Sequence, residues 1–553
     1  MFRKIKVLGL ALLATALVSS CSSDSEEEKE SLNGIGTDEL VQNIASSSDA
    51  PIMAMSMDIG QLVDKAGVEN LPLPMDFGQI LTQVKSMGLT IDGELYVFAE
   101  GSSMEDMRAV IVGPISDAEN FAKTLEQQMD VKAESEGGVK VAPISIPELP
   151  MGGTAMAFGE KAMMIVWTPG GMMEKSAVAE LFNRAGDKKA DGYLNTFLNS
   201  NSDMSMYMNY ENMLAAVPSD MIALFDANAA SQLEMVKPYY NDLISTMSMD
   251  FKNGEVTIAA ETNYAEVNDM DFFNSEPLDD SFLSMLSPDG GVVAYMTLNM
   301  NLQGAIGFME EMGVLNWDDI NKQASGVNVE EIASVFTGEF AVSMYELPDN
   351  ADEMFAFMSR KSKNMVDVDD NFRNLNDEEE VEEAAEEIEE AGEEMAEDMA
   401  SSNSDDMKVI VVVGHNNKDM IMEMIKKNGA EGLMEEKNGM MVMKLEDLGT
   451  IMITDDKIIM VSTPALAERI AEEGQLTKPA SGMNGNIMNA FVDLTTMPLA
   501  KYAEPSQRAL LEQVTGISLM GDSKRVEFSV KFKDVKRNSL AILVEESMKA
   551  GAM

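Results

Sequence analysis

The stretch Ile52-Met53-Ala54-Met55-Ser56-Met57-Asp58, followed by Gln61-Leu62-Val63-Asp64-Lys65-Ala66, reads as an alternating strand running straight into a helix. The same plan returns at Val292-Val293-Ala294-Tyr295-Met296-Thr297-Leu298, followed by Ala305-Ile306-Gly307-Phe308-Met309-Glu310-Glu311-Met312. Working outward, Asp92-Gly93-Glu94-Leu95-Tyr96-Val97 answers Thr337-Gly338-Glu339-Phe340-Ala341-Val342. Met107-Arg108-Ala109-Val110-Ile111-Val112-Gly113 answers Met407-Lys408-Val409-Ile410-Val411-Val412-Val413-Gly414. Each of these last strands leads into a predicted helix, 118–128 and 418–427. Hairpins follow at 154–169 and 450–464, both ending in Thr-Pro. Each half then closes with a strand, a helical stretch and a long hairpin: 204–209 and 247–264 in the first, 487–494 and 517–532 in the second.

A shared order of this length marks an internal duplication. Helical crossovers mixed with direct hairpins predict an α+β fold, largely antiparallel, with helices packed on one face. The expected organisation is a first α+β repeat over 50–275 and a second over 290–553. An acidic insert at 365–406 interrupts the second. Within its core, Asp377 to Asp398, 14 of 22 residues are Asp or Glu. Like charges at i,i+4 oppose a helix there, so a solvated, disordered loop is expected. A defined calcium loop of the Asp-x-Asp-x-Asp-Gly kind is absent from it.

The chain has 553 residues and a formal charge of −55, from 95 acids against 40 bases. That balance argues against a nucleic-acid partner, since phosphate contacts need clustered Lys and Arg. With one Cys and one His, most zinc, thiol and Ser–His–Asp chemistry is out of reach.

The single Cys explains itself by position. Arg3, Lys4 and Lys6 precede the 12-residue apolar run Val7–Val18, too short to span a bilayer core as a helix. Residues 1–20 therefore read as a secretory signal peptide. Val18-Ser19-Ser20-Cys21 resembles the lipobox of bacterial lipoproteins, which makes Cys21 the expected lipidation site. Two or more acyl chains give stable anchoring, each buried CH₂ contributing roughly 0.8 kcal/mol. Residues 21–49 are expected to form an acidic tether. Its opening run Ser22-Ser23-Asp24-Ser25-Glu26-Glu27-Glu28-Lys29-Glu30 also resembles the export signal of surface-exposed Bacteroidetes lipoproteins. The expected location is the envelope, lipid-anchored to the outer membrane and surface-exposed.

Chemistry is sparse. His415 sits in Gly414-His415-Asn416-Asn417, a strand-to-helix loop on this reading, with Pro114 as its first-copy counterpart; it is expected to be structural or at the surface. No phosphate-binding, nucleophile-elbow or dinucleotide motif appears, and no cofactor, metal ligand or catalytic residue is assigned. Methionine reaches 51 of 553 residues. Runs such as Met53-Ala54-Met55-Ser56-Met57, Met420-Ile421-Met422-Glu423-Met424 and Met440-Met441-Val442-Met443 fit flexible core packing first. Soft copper(I) ligation and an adaptable apolar groove for a peptide or lipid are the alternatives.

The lipobox, the acidic tether, the two-copy layout and the opening strand followed by Leu62-Val63-Asp64-Lys65-Ala66-Gly67 together resemble the domain-of-unknown-function 4836 family of Bacteroidetes lipoproteins. That resemblance would run from about Ala50 to the C-terminus, leaving the acidic insert outside. It implies no reaction and no site residue. The expected role is non-catalytic binding or scaffolding, with a protein, glycan or lipid partner. A carboxylate-dependent hydrolase acting on an envelope or dietary polymer is the alternative.

Overall fold

A computed structural model of the chain describes residues 32–46, 51–68, 77–144 (less 102 and 104–105), 152–185 (less 170 and 172), 192–216, 237–264, 274–286 (less 275), 292–345 (less 312–314, 316, 318–319 and 322–328), 408–497 (less 428–430, 446–448 and 474–485) and 501–551 (less 502 and 504). The signal peptide 1–20, Cys21 and the acidic insert 365–406 lie outside the described residues. Two compact units emerge. One takes Met1–Lys252, Val256–Asn268 and Asn538–Ile542; the other takes Asn253–Glu255, Asp269–Arg537 and Leu543–Met553.

The first unit carries strands β1 (Met53–Asp58), β2 (Glu94–Glu100), β3 (Arg108–Pro114), β4 (Glu134–Glu136), β5 (Val139–Ile144), β6 (Gly153–Phe158), β7 (Ala162–Thr168), β8 (Met204–Asn209), β9 (Ile244–Lys252) and β10 (Glu255–Thr262). Their spatial order is β4-β5-β6-β7-β3-β2-β1-β8-β9-β10.

The second unit carries β11 (Ala294–Asn299), β12 (Phe336–Met344), β13 (Val409–His415), β14 (Met434–Lys437), β15 (Met440–Leu445), β16 (Gly449–Ile453), β17 (Lys457–Val461), β18 (Met488–Asp493), β19 (Val514–Gly521) and β20 (Arg525–Phe532). Their order is β14-β15-β16-β17-β13-β12-β11-β18-β19-β20, again antiparallel. Strand for strand, the second unit repeats the first. The fold is α+β, duplicated and antiparallel.

The switch from strand to helix is written the same way in both units. After β1, Asp58 caps α1 (Ile59–Ala66) by accepting the Gln61 N–H at 2.8 Å. After β11, Asn301 accepts the Gly304 N–H at 3.0 Å, at the head of the helix Leu302–Glu311. After β3, Asp117 caps α2 (Ala118–Met129) through the Asn120 N–H; after β13, Asn417 caps α3 (Lys418–Lys427) through the Met420 N–H.

Helices lie on both faces of each sheet, one face more than the sequence suggests. In the first unit, Leu40, Val41 and Ile44, with Val178, Phe182 and Phe197, pack on Phe98, Val110, Val112, Met164 and Val166. From the other face, Phe121 and Leu125 of α2 pack on Ile165, Met156 and Phe158. Alternation dictates this split: Val110 and Val112 point one way along β3, and Ile111 the other. The second unit repeats it, with Phe282, Leu466 and Ile470 over Ile410, Val412 and Ile459 on one side. On the other, Ile421 and Ile425 of α3 cover Ile453, Ile451 and Ile458.

The boundary of the folded body also moves. Residues 37–45, read above as tether, form a helix (Thr37–Ala45) whose Leu40, Val41 and Ile44 are almost wholly buried. Each such side chain contributes about 1.5–3 kcal/mol on burial, so this segment belongs to the core. The acidic run at 24–30 hides that from composition alone.

Two buried polar groups stand out. Asp203, fully buried at the start of β8, holds Lys65 Nζ at 2.5 and 2.7 Å and accepts the Phe251 N–H at 2.7 Å. It ties α1 to β8 and β9. His415 is the last residue of β13, opposite Phe336, and only 2% exposed, so it is neither a loop residue nor at the surface. Neither ring nitrogen has a hydrogen-bond partner. Burial holds its pKa below the ordinary value; the Asp456 carboxylate and the backbone of Thr454 and Lys457 oppose that shift, and Lys418 adds to it.

Replacing Asp203 with Ala removes three charge-assisted hydrogen bonds and is expected to cost the first unit about 2–4 kcal/mol; denaturant melts read this directly, and an unchanged midpoint would contradict it. For His415, the unfolded chain takes up a proton below about pH 6.5 while the folded neutral ring resists it, so stability falls as pH drops through that value. Lowering pH from about 7.5 to about 5.5 should therefore lower the melting temperature of the wild type more than that of His415→Gln. Parallel curves would contradict the assignment.

Candidate functional site

The outward face of the first unit is covered over β3, β6 and β7 by α2. Over β1, β8 and β9 it presents methionine in register. One cross-strand row reads Val97–Met55–Met206–Met247, the next Leu95–Met57–Met204–Met249, and a third Ala99–Met53–Met208–Ser245. Alternation builds these rows: Ala54 and Ser56 of β1, and Ser205 and Tyr207 of β8, point inward and are buried. The methionines between them point outward and are half-buried, with Met247 at 37% exposure. Among the described residues, none of these eight methionines belongs to a buried core cluster.

The surface so formed is apolar, uncharged and deformable. Unbranched thioethers reshape at low cost, which suits a surface that accommodates irregular apolar shapes. A contiguous, partly accessible apolar face on a chain of this charge density is a candidate interaction site. The second unit keeps the apolarity and drops most of the sulfur: its equivalent rows are Val342–Met296–Ala490–Leu519, Phe340–Leu298–Met488–Gly521 and Met344–Ala294–Val492–Ile517.

The other methionine runs behave as core. Met440 and Met443 are 8% and 7% exposed, and Met420 and Met422 pack beside Ile421 in the layer that α3 lays over the sheet. Among the described residues no group of three His, Cys, Asp or Glu side chains is placed to hold a metal ion. No described helix is long and apolar enough to cross a membrane.

A second candidate is acidic. Asp38, Glu39, Asp92 and Glu94 line an open recess of about 460 Å³ in the first unit, walled by Gly93 and Pro114. Burial raises the pKa of Glu94, helped by the nearby Asp58 and Asp38 carboxylates and opposed by the Tyr96 hydroxyl that donates to it. Gly93 shapes the turn, with φ of +135°, as Gly338 does in the second unit with φ of +90°. The second unit has different residues at the equivalent place. Thr337-Gly338 replaces Asp92-Gly93, and Glu339, at the place of Glu94, accepts the Thr337 hydroxyl at 3.0 Å and lies over Gly414. A carboxylate-pair reaction of the sort expected of a hydrolase needs two converging acids with distinct pKa values; the recess offers one raised carboxyl, in one copy.

The sequence singled out Met53-Ala54-Met55-Ser56-Met57 and Met204–Asn209 as separate alternating strands. Their pairing with each other and with β9 is what makes a surface of them, and strand pairing of residues this far apart carries no local signal. Glu94 was missed as a candidate because 95 acids give no basis for choosing one.

No protein-family model matches the chain, and no curated protein matches it. Among solved structures, crystal form IV of TP0453 matches at 10% identity over 40% of this chain and 79% of that chain, with a TM-score of 0.24. Crystal form III of TP0453 matches at 9% identity over 45% of this chain and 87% of that one, with a TM-score of 0.25. Likenesses of that size carry no argument here.

Proposed function

We propose that this chain is an acylated envelope lipoprotein, anchored through Cys21, that binds an apolar ligand or partner segment on the methionine rows of β1, β8 and β9 and performs no chemistry on it. The observation that carries the binding role is the partly buried, register-aligned methionine surface of the first unit. The lipobox at Val18–Cys21 and the resemblance to Bacteroidetes lipoproteins support the anchoring, with an outer-membrane, surface-exposed location following from the acidic run after Cys21.

An apolar face binds through burial, at roughly 25 cal/mol per Å² of apolar surface removed from water. A charge in the middle of it has no partner and must be desolvated. The position for this test is Met206, flanked by Met55 and Met247 in its row. With a fluorescent long-chain fatty acid as probe, Met206→Glu is expected to weaken binding at least about tenfold, while Met206→Leu keeps it. Equal affinities for the two variants would contradict the assignment of the face. Separately, Cys21→Ser is expected to move the protein from the membrane to the soluble fraction of lysed cells; continued membrane partitioning would remove the anchor from the account.

A further inference from the structure

We infer that the methionine rows of the first unit are a sulfoxidation site for peroxide-class oxidants, and that oxidation there switches off apolar binding; the second half of this inference rests on the binding role proposed above. Thioethers are packed densely on this face. Met53, Met55 and Met57 lie directly against Met208, Met206 and Met204, which in turn lead to Met247 and Met249. An oxidant reaching Met247, the most exposed of them at 37%, has further half-buried sulfurs as cross-strand neighbours.

The chemistry balances without any group the protein lacks. A methionine sulfur gives an electron pair to one peroxide oxygen, forming the S–O bond as the O–O bond breaks. The departing hydroxide takes the proton from the transferred oxygen and leaves as water. Sulfur is oxidised by two electrons and the peroxide is reduced by two. The new sulfoxide oxygen is a strong acceptor on a face whose row neighbours Leu95, Val97 and Ala99 offer no side-chain donor, Ser245 opposite Met208 being the one hydroxyl in the three rows. It must recruit water, so the face turns from dry to wet.

The duplication supplies the internal comparison. The same three rows in the second unit hold Ala490, Val492, Leu519, Ile517 and Ala294 where the first unit holds methionine or, at one position, Ser245. The second face keeps three methionines, Met296, Met344 and Met488, with Met296 39% exposed, so it is a sparser thioether surface that oxidises within the same test. Met164 and Met452, both fully buried, one in each unit, provide the baseline for core thioethers.

The test treats the full-length protein with hydrogen peroxide, maps sulfoxides by peptide mass spectrometry and measures fluorescent fatty-acid binding in parallel. The expected result is that the eight row methionines reach half-oxidation about tenfold sooner than Met164 and Met452. Probe affinity should fall by about tenfold and recover with methionine sulfoxide reductases. Oxidation of the rows no faster than of the two buried methionines would overturn the site. Row oxidation with undiminished probe affinity would overturn the switch. Absence of probe binding before oxidation would instead sink the binding role, and the sulfoxide map would still decide the site.

Discussion

The whole molecule turns on one property of an extended chain: alternate side chains point to opposite faces of a sheet. Here both sets are apolar along most of the central strands, so each sheet needs cover on two sides. On the inner side Leu40 and Phe182 in the first unit, and Phe282 and Ile470 in the second, pack on the sheet as a buried core. On the outer side α2 in the first unit and α3 in the second pack over β3, β6, β7 and their counterparts, and the methionines of β1, β8 and β9 belong to neither of those layers among the described residues. Every half-buried methionine outside those layers leaves on the order of 1 kcal/mol of burial unrealised. That deficit is what a bound apolar partner would recover.

The two copies show which features the architecture requires and which were free to diverge. Strand order, register, the Asx caps at helix starts and the positive-φ glycines at 93 and 338 recur in both. The face behind β11 stays apolar with three methionines in place of eight, and where the first unit has Asp92 and Glu94 the second has Thr337 bonded to Glu339. His415 occupies the place of Pro114 and is buried with its ring nitrogens unpaired, a local cost to the second unit with no counterpart in the first. Scaffold and surface have been separated by the duplication, and the methionine rows belong to the surface that diverged.

Much of this architecture was legible in the chain. Alternation in Met204–Asn209 and the recurrence of Gly-Glu at the start of β2 and within β12 carried the duplicated α+β plan, because those signals are local and repeated. The predicted ends of the helices at 118 and 418 held, because Asp117 and Asn417 are caps that any reader of sequence can see. What was illegible depended on long-range placement. The helix 37–45 looked like tether because it follows an acidic run, although Leu40, Val41 and Ile44 are spaced for one buried face. His415 looked like a loop residue because Asn416 and Asn417 follow it. The second helical face could not be read at all, since the partner of Phe121 is Phe158, with ring centroids 5.1 Å apart and a hairpin between them in sequence. The methionine surface needed three strands from distant parts of the chain to be brought side by side.

Solution NMR of the protein labelled at its methionine methyl groups addresses the central claim most directly. If the rows on β1, β8 and β9 are an uncovered apolar surface, a soluble spin label should broaden the methyl signals of Met55, Met206 and Met247 while sparing Met164 and Met452, and an added long-chain fatty acid should shift that same set. Row signals as protected from the spin label as those of Met164, and unmoved by the fatty acid, would mean the face is already covered, and the account would be wrong.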